Sequence, residues 1–378
     1  MNYKTLALLS GLFLAINIVF DSYNLQVVFS NIYNYALIGS WVAVILTLVI
    51  MFFFGKKLDT NFKGVGLIPK KSRGYALVAG FTGAAYTLLL LYLLKIYDPT
   101  VVGALIPLTL LFLIIRDLYY TKEKISVLEA GSFIIVAVGA FLISFKGGRF
   151  DLMVILTAGI ILNLINAVYS HFMKLGMDCP NTDALNYRLF ITITLAVIFT
   201  VCIFPQTNLS FEVLSQIPYS IGSMFFAFLG YVLYLLSLKD GKVSFVSALN
   251  LSYVAFTFLF TVVLAFVIPK VFLLELNSTF WIMRGLGALL ILVGIVILVL
   301  SVFSSFIFIK CEPRKVNYIY EELKKLNEVK KIYQTFGKHS LIVLLEVKSE
   351  GRLGNTINQK IRIIEGIKEV SEARIVKS

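Results

Sequence analysis

Long apolar runs recur through most of the chain, and they constrain its fold more than any other feature of the sequence. Each run has about 17 to 25 residues, the length that a helix needs to cross a hydrocarbon core of about 30 Å. Lipid admits only helices and closed barrels, and a barrel would show shorter, alternating segments. The sequence therefore predicts an all-α polytopic membrane bundle of about ten transmembrane helices, at Lys4–Phe20, Tyr35–Phe54, Tyr75–Leu94, Val101–Tyr119, Ile125–Phe145, Leu152–Met173, Leu185–Phe204, Tyr219–Leu238, Val243–Val267 and Phe280–Phe303.

The composition excludes most classes of soluble protein. Hydrophobic residues make up 59% of the chain, charged residues only 15%, and the mean hydropathy is +0.89. A soluble domain carries about 25% charged residues on a solvated surface. The net charge of +13 is compatible with nucleic-acid binding, but basic residues beside membrane spans are the ordinary mark of cytoplasmic loops. We therefore expect a lipid bilayer around the chain and no nucleic-acid partner.

Basic residues also predict the orientation of the spans. The loop after the first predicted span, residues 21–34, has none, whereas the loop after the second has six: Lys56, Lys57, Lys63, Lys70, Lys71 and Arg73. Cytoplasmic loops are rich in Lys and Arg. With ten spans, both termini are expected on the cytoplasmic side of the cell membrane.

Two features leave alternatives to this topology. The first run follows Lys4 as a signal peptide would, and its removal would leave nine spans with an inverted topology. No small-residue cleavage pattern follows it, so we interpret it as a retained span. Lys146 and Arg149 fall on the predicted outer side and oppose the rule that the other loops follow.

Two segments of the predicted bundle resemble each other at a constant offset. Leu94, Lys95, Ala104 and Leu105 recur as Leu238, Lys239, Ala248 and Leu249, and the spans closing each half share paired glycines, Gly131 and Gly139 in one, Gly287 and Gly294 in the other. This indicates two copies of a five-helix unit, residues 1–145 and 146–304. Because five is odd, the second copy enters the membrane inverted, the arrangement on which many transporters build alternating access.

The segment Val101–Leu108, the turn Lys122–Ser126 with Glu123, and the following glycine-containing helix together resemble the EamA-type repeat of the drug/metabolite transporter superfamily. The turn in the second copy, Pro269–Asn277, departs from that pattern. The resemblance extends over Leu6–Ser301. It implies ten spans, a central cavity between the repeats and transport of a small metabolite.

Beyond the bundle, the pattern of apolar and polar residues in 305–378 predicts a small α+β domain of alternating strands and helices. A strand to Cys311, an amphipathic helix Val316–Leu326, strands Val329–Gln334 and Leu341–Leu345, a helix Leu353–Ile364 and a strand near 373–376 give the order βαββαβ, which is ferredoxin-like.

Three short segments of this tail carry a second resemblance: Asn327–Val329, Phe336–Gly337 and Ile364–Ile367 are similar to the ligand-binding domain of Lrp/AsnC-type regulators. Ser340 stands where that family commonly has an aspartate, and no helix-turn-helix accompanies the domain. The resemblance implies a homodimer formed through this domain and an amino-acid ligand.

Polar side chains inside the predicted spans are the candidates for a substrate cavity, because lipid does not tolerate them. They are Asn17, Tyr86, Asn163, Asn166, Tyr231, Asn250, Ser252 and Tyr253. An amide both donates and accepts hydrogen bonds, which suits a zwitterion or an uncharged polar solute. The alternative is that these groups join helices through hydrogen bonds. The family resemblance favours the cavity for Asn166 and Asn250.

Pro107 interrupts the fourth predicted span, either as a gating hinge or as a static kink. Charged side chains within the spans are scarce, and Asp21 and Glu129 are the candidates for proton coupling.

The sequence has two histidines and three scattered cysteines, which suggest no metal site. It also contains no nucleotide-binding phosphate loop. We therefore expect no cofactor. The sequence predicts a secondary transporter of a small organic solute rather than an enzyme. A membrane-embedded receptor that signals through the tail is the alternative, and a lipid-modifying enzyme is opposed by the lack of a convergent His, Asp and Glu set.

Overall fold

The computed structural model describes residues 3–66, 68–120, 127–143, 155–241, 243–267, 278–300, 303–326, 328–335, 339–347, 353–354 and 356–374. The chain divides into two compact units, one formed by residues 1–116 and 131–298 and the other by residues 117–130 and 299–378. We call the apolar helices the membrane unit and the sheet-forming part of the second unit, residues 303–374, the tail domain.

The membrane unit is helical, as expected from the apolar runs. Its helices are α1 Tyr3–Tyr23, α2 Ile32–Leu58, α3 Lys70–Ile96, α4 Pro99–Leu105, α5 Thr109–Tyr120, α6 Val127–Ile143, α7 Leu162–Met177, α8 Ala184–Ile203, α9 Phe211–Leu214, α10 Ile217–Asp240, α11 Val243–Asn250, α12 Ser252–Val267 and α13 Ser278–Leu300. A π-helical turn, Asn24–Val28, extends α1, and another, Ile155–Ile161, precedes α7.

Within the described residues, eight helical segments are long and apolar enough to cross a membrane. They are Tyr3–Val28, Ile32–Leu58, Lys70–Ile96, Pro99–Arg116, Leu156–Met177, Ala184–Gln206, Ile217–Lys239 and Phe245–Val267. Two shorter apolar segments, Ala130–Gly139 and Ile282–Gly294, lie in the predicted fifth and tenth spans. The predicted membrane bundle is confirmed.

Polar residues in the connections set where several helices begin. The side chain of Asn31 accepts a hydrogen bond from the Tyr33 amide at 2.8 Å, and that of Asp183 accepts one from the Asn186 amide at 2.8 Å. Each occupies an N-cap and satisfies an amide that has no partner within the first turn. These caps define the starts of α2 and α8.

Two spans are broken near their middle, at equivalent points of the two halves. The fourth span stops at Leu105 and passes through a 3₁₀ turn, Ile106–Leu108, before α5 begins. The ninth span turns at Leu251 between α11 and α12, where the Val254 amide donates to Leu251 O at 3.0 Å. Pro107 and Leu251 are 144 residues apart, which is also the offset between Leu94 and Leu238. Each half of the bundle therefore has one span in which the α-helical pattern of hydrogen bonds is interrupted.

Glycines bring the two closing spans into close contact. A Cβ on Gly139 would lie 2.6 Å from the carbonyl oxygen of Gly287, and one on Gly294 would lie 3.0 Å from that of Ser132. Only a residue without a side chain permits this approach. Of the four glycines that mark the repeat in the sequence, Gly139, Gly287 and Gly294 thus lie at the contact between α6 and α13, whereas a Cβ on Gly131 would have no atom within 4 Å.

The tail domain is a four-stranded antiparallel sheet in the order β2-β3-β1-β4. Its elements are β1 Phe303–Cys311, α14 Val316–Lys324, β2 Val329–Gln334, β3 Leu341–Val347, a helical turn Ile357–Ile361 and β4 Ile367–Arg374. Its core is formed by buried apolar residues that include Ile307, Ile309, Ile319, Leu323, Leu341, Val343, Leu345 and Ile361. The predicted ferredoxin-like domain is confirmed.

The last strand begins earlier than predicted. Gly366 has a φ of +96°, a conformation that L side chains rarely adopt, and it turns the chain directly into β4. Ile367 then pairs with Cys311, and Val370 pairs with Ile309. The prediction near residues 373–376 therefore missed most of the strand, and residues 375–376 lie outside the described residues.

Candidate solute-binding cavity

A cavity with an empty volume of about 670 Å³ lies among the helices of the membrane unit. Its walls come from α1, α3, α5, α7, α10, α11 and α12 and from the two breaks. Five tyrosines and three amides line it: Tyr86, Tyr169, Tyr231, Tyr234, Tyr253, Asn17, Asn166 and Asn250. Of the candidates named from the sequence, Asn17, Tyr86, Asn166, Tyr231, Asn250 and Tyr253 are brought together here.

The amides Asn17 and Asn166 lie in similar local sequences of the two halves, at an offset of 149 residues rather than 144. Ile16, Asn17 and Val19 correspond to Ile165, Asn166 and Val168, a similarity that a search for the repeat through these spans would have found. The Asn17 Nδ2 donates to Ser223 Oγ at 2.8 Å, and the Asn166 Nδ2 donates to Thr109 Oγ1 at 3.1 Å. Both amides are therefore fixed on the cavity wall.

Asn163 lies outside this lining and joins helices. Its Nδ2 donates to Leu105 O, Ala158 O and Gly159 O at 2.7 to 2.8 Å, and its Oδ1 accepts from Thr109 Oγ1 at 2.6 Å. Leu105 O is a carbonyl that would accept the Thr109 amide in an unbroken helix, but that amide donates to Ile106 O instead. Asn163 thus gives Leu105 O a hydrogen-bond donor in place of the Thr109 amide.

Ser252 also lies outside the lining. Its side chain is 3% exposed and packs against Gly11 of α1. Pro107 is buried in the break itself, and its ring nitrogen has no hydrogen to give to Gly103 O. The hydroxyl of Tyr253 reaches that oxygen at 3.4 Å. The break is therefore supported from the cavity side as well.

A second cavity, with an empty volume of about 620 Å³, adjoins the first and shares Asn17, Leu90 and Tyr231 with it. The charged groups in its described lining are Asp21 and Arg188. Most of the remaining wall is apolar. Two opposite charges thus line the same cavity.

Asp21 is 6% exposed and is surrounded by donors. Its carboxylate accepts hydrogen bonds from Asn17 Nδ2 at 3.2 Å and from the hydroxyls of Tyr35 and Ser223. No described cation pairs with it. Glu129, the other proton-coupling candidate, has a side chain outside the described residues.

Arg188 is a candidate residue that sequence reasoning did not single out, because it lies near the start of the seventh predicted span, where basic residues commonly flank a cytoplasmic loop. It is 8% exposed, and its Nη1 donates to the Tyr169 hydroxyl at 3.1 Å. Its guanidinium carbon lies 4.2 Å from the centre of the Tyr231 ring, a cation–π contact. The sequence signal that could have identified Arg188 is its position inside the apolar run that begins at Leu185.

Comparison with known families agrees with both resemblances. Residues 3–145 match the EamA-like transporter family, and residues 304–378 match the Lrp/AsnC ligand binding domain. No curated protein matches the chain.

Solved structures match each part. A structure titled only "Crystal structure of protein" shares 17% identity, with a TM-score of 0.53, and covers 77% of this chain and 97% of its own, which shows the fold alone. FFRP-DM1 shares 28% identity at a TM-score of 0.19, covering 20% of this chain and 99% of its own. Escherichia coli AsnC shares 18% identity at a TM-score of 0.20, covering 27% of this chain and 80% of its own. The chain is thus a multi-pass membrane protein that joins a segment matching the EamA-like transporter family to a segment matching the Lrp/AsnC ligand binding domain.

Proposed function

We propose that this protein is a secondary transporter that moves a small organic solute across the cell membrane by alternating access. The observation that carries the proposal is the polar cavity between the two broken spans. Transporters built from inverted repeats bind their solutes at the repeat interface, next to discontinuous helices. Asn17 and Asn166, which lie in similar local sequences and both line the cavity, also support the proposal.

In this proposal the solute binds to the amides Asn17, Asn166 and Asn250 and the hydroxyls of Tyr86, Tyr231 and Tyr253. The break at Pro107 serves as the gating hinge. Both termini lie in the cytoplasm, as the basic loops indicate.

Solute counterflow in proteoliposomes tests the proposal. Vesicles containing the full chain are loaded with an unlabelled cell extract, and the accumulation of labelled solutes from the same extract is followed by mass spectrometry. We expect concentrative exchange of one class of solute, reduced at least tenfold by Asn166→Ala and unchanged by Asn208→Ala, whose side chain lies in an exposed connection. The receptor alternative predicts binding without exchange.

Asp21 is the proposed coupling group, because it is a buried carboxylate on the cavity wall without a described cation. A proton carrier needs a group that gains and loses a proton during the cycle. We expect Asp21→Asn to remove the dependence of net uptake on a pH gradient while leaving counterflow measurable. Uptake that follows the pH gradient equally in the variant would exclude this role.

The tail domain is proposed to pair two protomers and to bind an amino acid. Its match to a ligand binding domain supports the proposal. The full chain and a chain ending at Ser304 can be compared by light scattering in detergent micelles and by thermal shift with single amino acids. A dimer and an amino-acid shift that both persist without the tail would exclude both roles.

A further inference from the structure

We propose that Arg188 binds the carboxylate of the transported solute, so that the substrates are small organic acids. This inference rests on the proposed function and specifies its substrate class. It follows from the burial of Arg188, the direction of its side chain and the charges around the cavity.

The guanidinium of Arg188 is buried without an anionic partner. It is 8% exposed, and the described residues give it one hydrogen bond, to the Tyr169 hydroxyl, and no ion pair. A guanidinium has five N–H donors, so most remain available to a ligand. An unpaired charge inside a membrane protein is costly and is kept where it serves a pathway or a ligand.

The side chain points into the bundle rather than toward its end. Arg188 lies four residues from the start of α8, roughly 6 Å along the axis at 1.5 Å per residue. Tyr169 lies eight residues from the end of α7, about 12 Å, and Tyr231 lies nine residues from the end of α10, about 13 Å. A snorkelling arginine would extend the opposite way, toward the interface. This one is held at depth against two tyrosines.

The charges favour a carboxylate over a phosphate monoester. Arg188 is the one cation in the described lining of either cavity, and Asp21 adds a negative charge to the same wall. A phosphate monoester carries about −1.5 to −2 charges near neutral pH and would leave negative charge uncompensated. A carboxylate carries one, and its two oxygens match the planar fork of arginine.

Asp21 and Arg188 contact different parts of α10. On α10, Ser223 contacts Asp21 and Tyr231 contacts Arg188, and these two residues are eight positions apart, about 12 Å along the helix. The amino nitrogen and carboxyl carbon of an α-amino acid are only about 2.5 Å apart. We therefore assign the carboxylate of the solute to Arg188 and no amino group of the same molecule to Asp21. The body of the acid is expected among the cavity tyrosines, and Asp21 keeps a separate role.

Binding of simple anions tests the site without knowledge of the natural solute. The melting temperature of the full chain in detergent micelles is measured against 4-methylpentanoate, its uncharged amide, acetate and inorganic phosphate, at constant ionic strength. We expect a saturable rise with the carboxylates, none with the amide, and at least about tenfold weaker carboxylate binding in Arg188→Gln, since a charged hydrogen bond is lost. The control is Arg362→Gln in the tail domain, an exposed arginine, which should bind as the wild type does.

Other results would overturn the inference. Equal shifts from acid and amide, equal affinity of Arg188→Gln, or a rise with phosphate that exceeds the rise with carboxylates would each do so. If Arg188→Gln does not fold, Arg188→Lys replaces it: an ammonium lacks the fork, so its carboxylate affinity should fall several-fold, and an unchanged affinity would contradict the proposal.

The counterflow assay separates this inference from the proposed function. If the exchanged solutes all carry a carboxylate and the exchange is lost in Arg188→Gln, the result supports both the transporter function and the carboxylate site. Exchange of neutral or amine solutes that Arg188→Gln leaves intact overturns the substrate class and leaves the transporter. Carboxylate binding through Arg188 without any exchange overturns transport and leaves the site.

Discussion

Replacement of Arg284 by methionine should destabilise the membrane unit more than any change to a surface charge. Its Nη1 lies 3.0 Å from Asp98 Oδ1, its side chain also donates to the Thr100 hydroxyl, and the two charged side chains are 5% and 2% exposed. The pair joins α4 of the first half to α13 of the second.

The magnitude follows from what remains after the change. Breaking a buried ion pair leaves one uncompensated charge and costs about 3 to 5 kcal/mol. Asp98 keeps the amides of Thr100 and Val101, which accompany its role as N-cap of α4. We therefore expect the lower end, about 3 kcal/mol. Asparagine caps a helix as well as aspartate does, so Asp98→Asn combined with Arg284→Met should recover most of the loss.

Unfolding by SDS titration in mixed micelles, followed by circular dichroism, gives the free energies of the single and double variants. Asp178→Asn is the matched control, because its pair with Lys174 has a half-exposed carboxylate and should contribute about 0.5 kcal/mol or less. A loss in Arg284→Met as small as that of the control, or a double variant as unstable as the sum of its single variants, would refute the reasoning.

Three further changes test other parts of the fold. Gly176→Ala would place a methyl group on the buried ring of Tyr187 and should cost about 1 to 3 kcal/mol in the same titration, whereas no loss would mean that the ring has room to move. Tyr253→Phe removes the hydrogen bond to Gly103 O and should cost about 1 kcal/mol, with unchanged stability arguing against that bond. In the tail domain, Lys315 lowers the pKa of the Glu365 carboxyl from its ordinary value of 4.5. The stabilisation by Glu365 should therefore be present above pH 4.5 and be lost as the pH falls through the lowered pKa. Thermal melts of the wild type and Glu365→Gln that coincide across this acid range would contradict the prediction.

The bundle and the tail domain could be predicted from the sequence because their signals are local. A membrane span needs only an apolar run of the right length, and strand and helix periods are visible in the tail. The start of β4 was missed because it depends on the positive φ of Gly366, and the local pattern of apolar residues does not give the conformation of a turn.

Side-chain placement in the cavity depends on neighbours that no local pattern contains. Asn163 and Asn166 are three residues apart and share a helix face, yet one supports the break in the fourth span and the other lies on the cavity wall. Arg188 was not singled out because hydropathy gives a position along a helix and not the direction in which a long side chain extends. Its contacts with Tyr169 and Tyr231 required the packed bundle.

The breaks at Pro107 and Leu251 have a mechanical consequence. The stiffness of a helix comes from its uninterrupted ladder of hydrogen bonds, so bending costs less free energy where the ladder is interrupted. Each half of the bundle has one such point at the same place in its own sequence order. In the proposed alternating-access cycle, a bend in one half that widens the space toward one face of the membrane would have a counterpart in the other half that widens it toward the opposite face, at similar energetic cost.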